Sequence, residues 1–273
     1  MTTQSYHTDI EGHDVHYLEG GGGFPILLLH GVGPGTSIMG NFEPVIKPLT
    51  ERYHVYASDL IGFGNSSWKK EPPYFDVDMW IRQGLALIEL MPEGPCGIAG
   101  HSMGGALSLK IAAASDRITH ILTSSTVGTL YKITPALDAF WSLPQDQNEL
   151  RRSMGDMVAH PSAVTNEMIQ GRWDLLEKKG YSDYFRKMFE PPRQLYLDAG
   201  NVSDTEIDIL NSRGVKITMI HGDRDKPCPF EYTTAKLSER LPDARVVLLE
   251  NCGHNLPREA SESYLSAANA LFG

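Results

Sequence analysis

Apolar residues along this chain follow two alternating patterns. Short runs rich in branched side chains recur at Ile26 to Leu29, Val55 to Ser58, Gly97 to Ala99, Ile118 to Thr123, Ile217 to Ile220 and Val246 to Leu249, bounded by Gly, Pro or Asp. Runs this short and continuous read as strands buried on both faces, the signature of a parallel sheet. Between them apolar positions recur every three or four residues, at Val77, Ile81, Leu85 and Ile88 and again at Leu107, Ile111 and Ala114. That period predicts helices, and two more are expected over Phe230 to Leu241 and Glu259 to Leu271. Strand alternating with helix predicts an α/β protein whose mostly parallel, doubly wound sheet is covered on both faces. The four glycines Gly20 to Gly23 are expected to form a turn joining two N-terminal strands.

The alternation stops between about Thr129 and Gly214. No strand-like run occurs there, and Pro135, Pro144, Pro161 and Pro191-Pro192 break the segment into short helices. Residues 129–214 therefore read as a helical lid inserted into a core made of residues 1–128 and 215–273. The segment is rich in Trp, Tyr, Phe and Met, among them Phe140, Trp141, Trp173, Tyr184, Met154, Met157 and Met168. Most of its aromatics are expected to fill the lid's own core, with a few facing the sheet to line a pocket. No internal repeat is evident.

Composition narrows the function classes. The 273 residues carry a formal charge of −10, which argues against nucleic acid as a partner, because phosphate binders present a basic face. The three cysteines, Cys96, Cys228 and Cys252, have no spacing that suggests zinc or a disulfide framework. The first residues have neither a basic start nor an apolar stretch, and no apolar run approaches the roughly 18 to 20 residues that span a bilayer. A cytoplasmic protein with a small-molecule substrate and no membrane association is expected.

The chemistry is concentrated where strands end. After Gly97 to Ala99 comes Gly100-His101-Ser102-Met103-Gly104-Gly105, a G-x-S-x-G sequence between a strand and a helix, which is the setting of a nucleophile elbow. Glycines two positions either side of the serine let the chain turn without a side chain striking neighbouring backbone. A serine hydroxyl at neutral pH needs a base and a group that orients the base. After Ile217 to Ile220 come two carboxylates, Asp223 and Asp225, and after the last strand comes Asn251-Cys252-Gly253-His254. All of these loops lie at the carboxyl edge of a parallel sheet, where ligands bind, so Ser102, His254 and one of the two carboxylates can meet. His30-Gly31-Val32-Gly33-Pro34-Gly35 ends the first core strand, and its backbone is placed to hold a developing oxyanion together with the amide of Met103, Val32 being the chosen donor. Neither phosphate-loop nor dinucleotide-binding glycine spacing is present. His30 and His221 each precede a glycine at a strand end and are expected to make structural hydrogen bonds.

Taken together, elbow, acid, histidine and oxyanion loop resemble the α/β-hydrolase fold family over nearly the whole chain. That resemblance places the acid at Asp225, the second Asp of the H-G-x-x-D pattern, and implies the triad Ser102, Asp225 and His254. Within the family, His30 to Gly35 followed by Asn41-Phe42, and the lid segment Asn166 to Trp173, resemble the meta-cleavage-product hydrolases, which split carbon–carbon bonds in vinylogous diketones from aromatic-ring degradation. The group's substrate-facing Asn maps on Asn41 and its lid Arg on Arg172. Gly33, Asn41, His101, Arg172, Trp173 and Asn255 are the candidate substrate-binding residues. The chain departs from the group in having His101 before the serine and Asn255 after the histidine, and a His-Ser-Met-Gly-Gly elbow is common among carboxylesterases. Hydrolysis of a small or aromatic ester is the alternative activity. Neither reading requires a metal or organic cofactor, and the resemblance is compatible with a dimer or larger assembly.

Overall fold

The computed structural model describes residues 3–273. Eight strands form one sheet: β1 (Gln4–Ile10), β2 (His13–Gly21), β3 (Pro25–Leu29), β4 (His54–Ser58), β5 (Cys96–His101), β6 (Ile118–Ser124), β7 (Lys216–Gly222) and β8 (Arg245–Leu249). Their order across the sheet is β1-β2-β4-β3-β5-β6-β7-β8. Strands β3 to β8 are parallel, whereas β2 pairs antiparallel with β1 and with β4. All six strands expected from the apolar runs are present, each within two residues of its expected limits.

Alternation along each strand divides the side chains between two cores. Ile26 and Leu28 join Val55, Ala57, Ala99 and Leu122 on one face, which α1 (Ile38–Thr50) and α12 (Ser261–Phe272) cover through Phe42, Val45, Leu49, Tyr264 and Phe272. Leu27 and Leu29 join Tyr56, Ile98 and Ile121 on the other, covered by α2 (Val77–Leu90) and α3 (Met103–Ala114) through Trp80, Leu87, Leu107 and Ile111. The chain reaches α12 through α10 (Thr234–Arg240) and the single turn α11 (Leu256–Glu259), so the helix expected over Phe230 to Leu241 starts later, after a 3₁₀ turn at Phe230–Tyr232.

Two N-terminal features differ from the sequence pattern. Helix α1 contains Pro44 and Pro48, residues that discourage a helical reading. Its start is fixed by caps instead: Ser37 Oγ accepts from the Gly40 amide at 3.1 Å, and the buried Asp59 carboxylate accepts from the Ile38 amide at 2.6 Å. Strand β1 is mostly exposed and shows no apolar run, and it turns into β2 at Glu11-Gly12. The glycines from Gly20 onward do lead from β2 into β3, but β4 lies between these two strands in the sheet.

Between β6 and β7 the chain forms α4 (Pro135–Phe140), α5 (Gln147–Gly155), α6 (Asn166–Leu176), α7 (Tyr181–Met188), α8 (Gln194–Ala199) and α9 (Asp204–Arg213) without a strand. Three side chains tie the first part of this insertion to loops at the carboxyl edge of the sheet. Trp141 Nε1 donates to the Val32 carbonyl, Thr134 Oγ1 to the Pro227 carbonyl and Arg172 to the Pro34 carbonyl. Helix α9 is placed differently. Glu206 pairs with Lys110 of α3 at 3.1 Å, and Arg213 donates to the Ser115 and Ile118 carbonyls, so α9 packs as the crossover beside α3 and the boundary expected at Gly214 falls beyond it. Among the described residues no helix is long and apolar enough to cross a membrane.

The tightest packing is at the junction of β5 and α3. Ser102 sits between them at φ 57° and ψ −119°, a conformation that costs a non-glycine residue about 1–3 kcal/mol. A Cβ on Gly104 would lie 2.3 Å from the Leu29 carbonyl oxygen and 2.6 Å from that of His30, both backbone atoms that cannot step aside. Gly104→Ala is therefore expected to destabilise the fold by about 1–3 kcal/mol or more, the range of core overpacking. Gly171→Ala, where a Cβ meets nothing within 4 Å and the residue lies inside α6, should be neutral or stabilising by up to about 1 kcal/mol. Chemical denaturation of the two variants checks this, and equal stabilities would contradict it.

Candidate functional site

Ser102, His254 and Asp225 come from three different strand ends and meet at one place. His254 Nδ1 lies 2.8 Å from Asp225 Oδ2 and donates to it. Asp225 is further fixed by the Cys228 amide, which donates to Oδ1 at 2.8 Å, and by His221 Nε2 at 3.2 Å. Burial works against its charge, but His254 and His221 more than compensate and hold the carboxyl well below the usual carboxylate range. For His254 the balance is the same in mirror image: burial disfavours the imidazolium, and the Asp225 carboxylate reverses this and raises its pKa well above the ordinary value. Because Nδ1–H is committed to Asp225, the nitrogen left for chemistry is Nε2. His254 and Ser102 line the same cavity, and no hydrogen bond joins their side chains in this resting arrangement. Such bonds commonly tighten only when substrate binds.

Asp223, the alternative acid, is exposed and bonded elsewhere: its Oδ1 accepts from the Cys252 amide at 3.3 Å. His221 and His30 have the structural roles expected. His221 bridges Thr234 Oγ1 and the Cys228 carbonyl, both at 2.8 Å, and so braces the loop that carries Asp225. His30 Nε2 accepts from the Leu60 amide at 2.9 Å.

The loop after β3 lies over Ser102. A Cβ on Gly31 would come within 2.9 Å of the Ser102 Cβ, so only glycine lets this strand of backbone approach the serine. Asn41, on α1, accepts from the Gly31 amide at 2.9 Å and sets the loop's course, leaving its NH₂ group for the cavity it lines. The Trp141 bond to the Val32 carbonyl holds the next residue of the loop. Among the described residues no protein acceptor takes the Val32 or Met103 amide, and Met103 begins α3, where amides point outward with the positive end of the helix dipole.

Arg172 reaches this cavity from α6 and is 6% exposed. Nη1 donates at 2.8 Å to the Pro34 carbonyl and at 2.8 Å to Thr36 Oγ1, and the guanidinium stands 5.6 Å from the Phe140 ring centroid. Among the described residues no carboxylate pairs with it. Burial, with the Arg258 charge adding to it, lowers its pKa to about 10. Helix α6 can press this close because Gly35, at φ 58°, has no side chain: a Cβ there would lie 2.2 Å from the Arg172 carbonyl oxygen. His101 also lines the cavity, its Nδ1 held 3.2 Å from the Ser124 carbonyl and its ring centroid 4.8 Å from that of His254. Burial and the neighbouring His254 push its pKa well below the ordinary value, so it stands neutral and offers Nε2 as an acceptor. Asn255 lines the cavity as well, with Oδ1 buried and unpartnered among the described residues.

Two expected substrate-binding residues lie elsewhere. Gly33 is covered by Phe140, whose ring would be 2.3 Å from a Cβ at that position, and it does not reach the cavity wall. Trp173 follows Arg172 on α6 and therefore projects about 100° away from it, onto a separate surface hollow, where Nε1 donates to Glu177 at 2.8 Å. Among the described residues Phe140 is the one lid aromatic that lines the cavity; besides Arg172 the remaining lid contribution is aliphatic or thioether, from Leu137, Met154, Met157, Val158 and Met168. Trp141, Phe185 and Phe189 pack against one another, and Trp141 and Phe189 also meet Phe75 of the α/β core, so the expected separate lid core is continuous with the core on that face of the sheet. Cys228, three residues after Asp225, was marked by no sequence pattern, yet its thiol lies against His254.

Comparison with known proteins places the chain in a family. A profile of the alpha/beta hydrolase family matches residues 26–267. The chain is 27% identical over 258 residues to a 2-hydroxy-6-oxo-2,4-heptadienoate hydrolase of Pseudomonas putida, covering 94% of this chain and 90% of that protein. It is 27% identical over 237 residues to a 2-hydroxymuconate semialdehyde hydrolase of a Pseudomonas species, covering 86% and 82%. The crystal structure of a meta-cleavage product hydrolase, CumD, superposes with a TM-score of 0.89 at 27% identity over 96% of both chains; a related CumD structure is from Pseudomonas fluorescens. With the parallel sheet, the serine turn at the end of β5 and a family profile that spans nearly all of the sequence, this chain belongs to the alpha/beta hydrolase family.

Proposed function

We propose that the protein is a serine hydrolase that cleaves a carbon–carbon bond in a vinylogous diketone formed by meta-fission of an aromatic ring. The observation that carries this reading is Arg172, a buried guanidinium without a carboxylate partner, in the same cavity as Ser102 and His254. Desolvating a cation without a counter-ion is costly, and the arrangement makes sense if the substrate brings the anion. A meta-fission product has a carboxylate beside its enol oxygen; a simple ester has none. The names of the relatives, heptadienoate and muconate semialdehyde hydrolases, are those of proteins acting on such acids.

In the proposed sequence the substrate carboxylate binds Arg172 and the dienol tautomerises to the keto form, which makes the departing fragment an electron sink. Ser102 Oγ then adds to the distal carbonyl while its proton passes to His254 Nε2. Asp225 stabilises the imidazolium formed. The amides of Val32 and Met103 hold the oxyanion. When the carbonyl re-forms, the carbon–carbon bond breaks, its electron pair moves into the conjugated fragment, and His254 returns the proton to that fragment. Water, deprotonated by His254, releases the acid from Ser102 by the same steps in reverse order.

Three outcomes test this reading. Ser102→Ala should lower kcat by at least about 10³-fold while leaving the melting temperature within a few degrees, since only a hydroxyl is removed; activity within tenfold of wild type would dismiss Ser102 as nucleophile. Asp225→Asn should cost on the order of 10⁴-fold in kcat, because His254 loses the group that fixes its tautomer, whereas Asp223→Asn, at an exposed carboxylate, should change kcat less than about tenfold. The reverse ranking would move the acid to Asp223. Arg172→Ala should reduce kcat/KM for a yellow ring-fission dienolate by about tenfold or more, equivalent to about 1.4 kcal/mol, within the range of a charge-assisted hydrogen bond. Turnover of a neutral aryl ester should hardly change. Parallel losses on both substrates would favour the carboxylesterase reading.

A further inference from the structure

Beside the Asp225–His254 pair lies a thiol that the proposed hydrolysis does not use, that of Cys228. The ligand atoms of Asp225, Cys228 and His254 all lie within 4.8 Å of one another, and all three residues are buried. The Cys228 thiol interacts with the His254 ring on one side and with Tyr131 on the other. The Tyr131 hydroxyl, buried and without a hydrogen bond of good geometry, is electrostatically coupled to Cys228 and Asp225. One sulfur, one imidazole nitrogen and one carboxylate oxygen form a mixed donor set of the kind borderline and soft divalent cations select.

We propose that Asp225, Cys228 and His254 form a binding site for a thiophilic divalent cation, Zn²⁺ or Cd²⁺, and that its occupation reversibly shuts off turnover. In a tetrahedral site with metal–ligand distances of about 2.0–2.3 Å, neighbouring donor atoms stand about 3.3–3.8 Å apart. His254 Nδ1 and Asp225 Oδ2 stand 2.8 Å apart and all three donors lie within 4.8 Å of one another, so capture asks the side chains to adjust by about an ångström. His221 and the Cys228 amide hold the Asp225 side of the cluster in place. The cation enters by the cavity that His254 lines. Binding replaces the S–H bond of Cys228 with a metal–thiolate bond and the Nδ1–H bond of His254 with a metal–nitrogen bond; the thiol proton leaves to solvent, the imidazole proton moves to Nε2, and nothing is oxidised or reduced. The imidazole that binds the cation is no longer free to take the Ser102 proton. Cys96 and Cys252 offer no such site: Cys96 is buried in the apolar core and Cys252 Sγ lies against the Glu250 carbonyl.

Metal binding rests on the geometry alone, and the loss of turnover rests also on the role proposed for His254. The two are separable by experiment. Cd²⁺ titrated into metal-free wild-type protein should produce the ultraviolet thiolate-to-cadmium band with a stoichiometry of one, and Cys228→Ser and Cys228→Ala should lack it, whereas Cys96→Ala should retain it. Zn²⁺ should inhibit the wild type, a chelator should restore activity, and the Zn²⁺ concentration for half-inhibition should rise by at least about tenfold in either Cys228 variant. A cadmium band that survives both Cys228 substitutions would overturn the site. A band lost with Cys228 but without inhibition of wild type would overturn the inhibitory half. If metal-free wild type failed to turn over ring-fission dienolates, the proposed function would fall while the absorbance test kept its meaning.

Discussion

The structure depends on one close backbone approach, at the end of β5. Three segments meet there: the β3 end with its Gly31 loop, the β5 end with Ser102, and the first turn of α3. Gly100 and Gly104 would collide through any side chain, with 2.0 Å between a Cβ on the first and the carbonyl oxygen of the second. Because all three backbones are in contact, the serine has no relaxed conformation open to it and is held at positive φ. The strain has a chemical return. The turn carries the Ser102 hydroxyl at the head of α3, near two amides that no acceptor among the described residues takes, so the groups proposed as nucleophile and oxyanion donors are positioned by the same packing.

The buried charges show how the rest of the site is organised. Asp59 is satisfied by His16 Nδ1 at 2.8 Å and by the Ile38 and Asn65 amides, and so ties β4 to β2, α1 and the following loop. Asp225 has His254, His221 and a backbone amide. Arg172 has only neutral acceptors. A buried ion paired in this way is part of the fold, whereas one lacking a counter-ion is stabilised chiefly when a ligand supplies it. By this distinction Asp59 belongs to the architecture, and it is on this ground that a recognition role is proposed for Arg172, although both are more than nine-tenths buried. His101 belongs with Arg172: it is neutral and held by Ser124, and it offers an acceptor where a substrate carrying a hydroxyl beside its carboxylate would present a donor.

The parallel strands were legible because they are buried on both faces and therefore consist of unbroken apolar runs. The three residues proposed as the triad, Ser102, Asp225 and His254, stand out in the sequence because each lies in the loop that follows such a run. What escaped has physical causes. Strand β1 exposes most of its side chains and has no apolar signature, and α1 is specified by Ser37 and Asp59 from outside its own apolar spacing, despite two prolines. Helix α9 joined the insertion in the sequence reading because nothing in its pattern reveals the ion pair and carbonyl bonds that dock it on α3. In the lid, neighbours in sequence were assigned together although a helix separates them: Arg172 enters the cavity and Trp173 points away. Gly33 shares a loop with Val32, but Phe140 covers it. Cys228 was unreadable because its importance comes from a turn that brings it back beside His254.

In the proposed reaction Arg172 receives a substrate carboxylate while Ser102 faces the carbonyl to be attacked. A crystal structure of Ser102→Ala with a 2-hydroxy-6-oxo-dienoate bound tests it most directly. The carboxylate is expected within hydrogen-bond distance of the Arg172 guanidinium, about 2.7–2.9 Å, and the distal carbonyl oxygen about 3 Å from the Val32 and Met103 amides. A ligand whose carboxylate lies away from Arg172, with the guanidinium still bound only to Pro34 and Thr36, would contradict it.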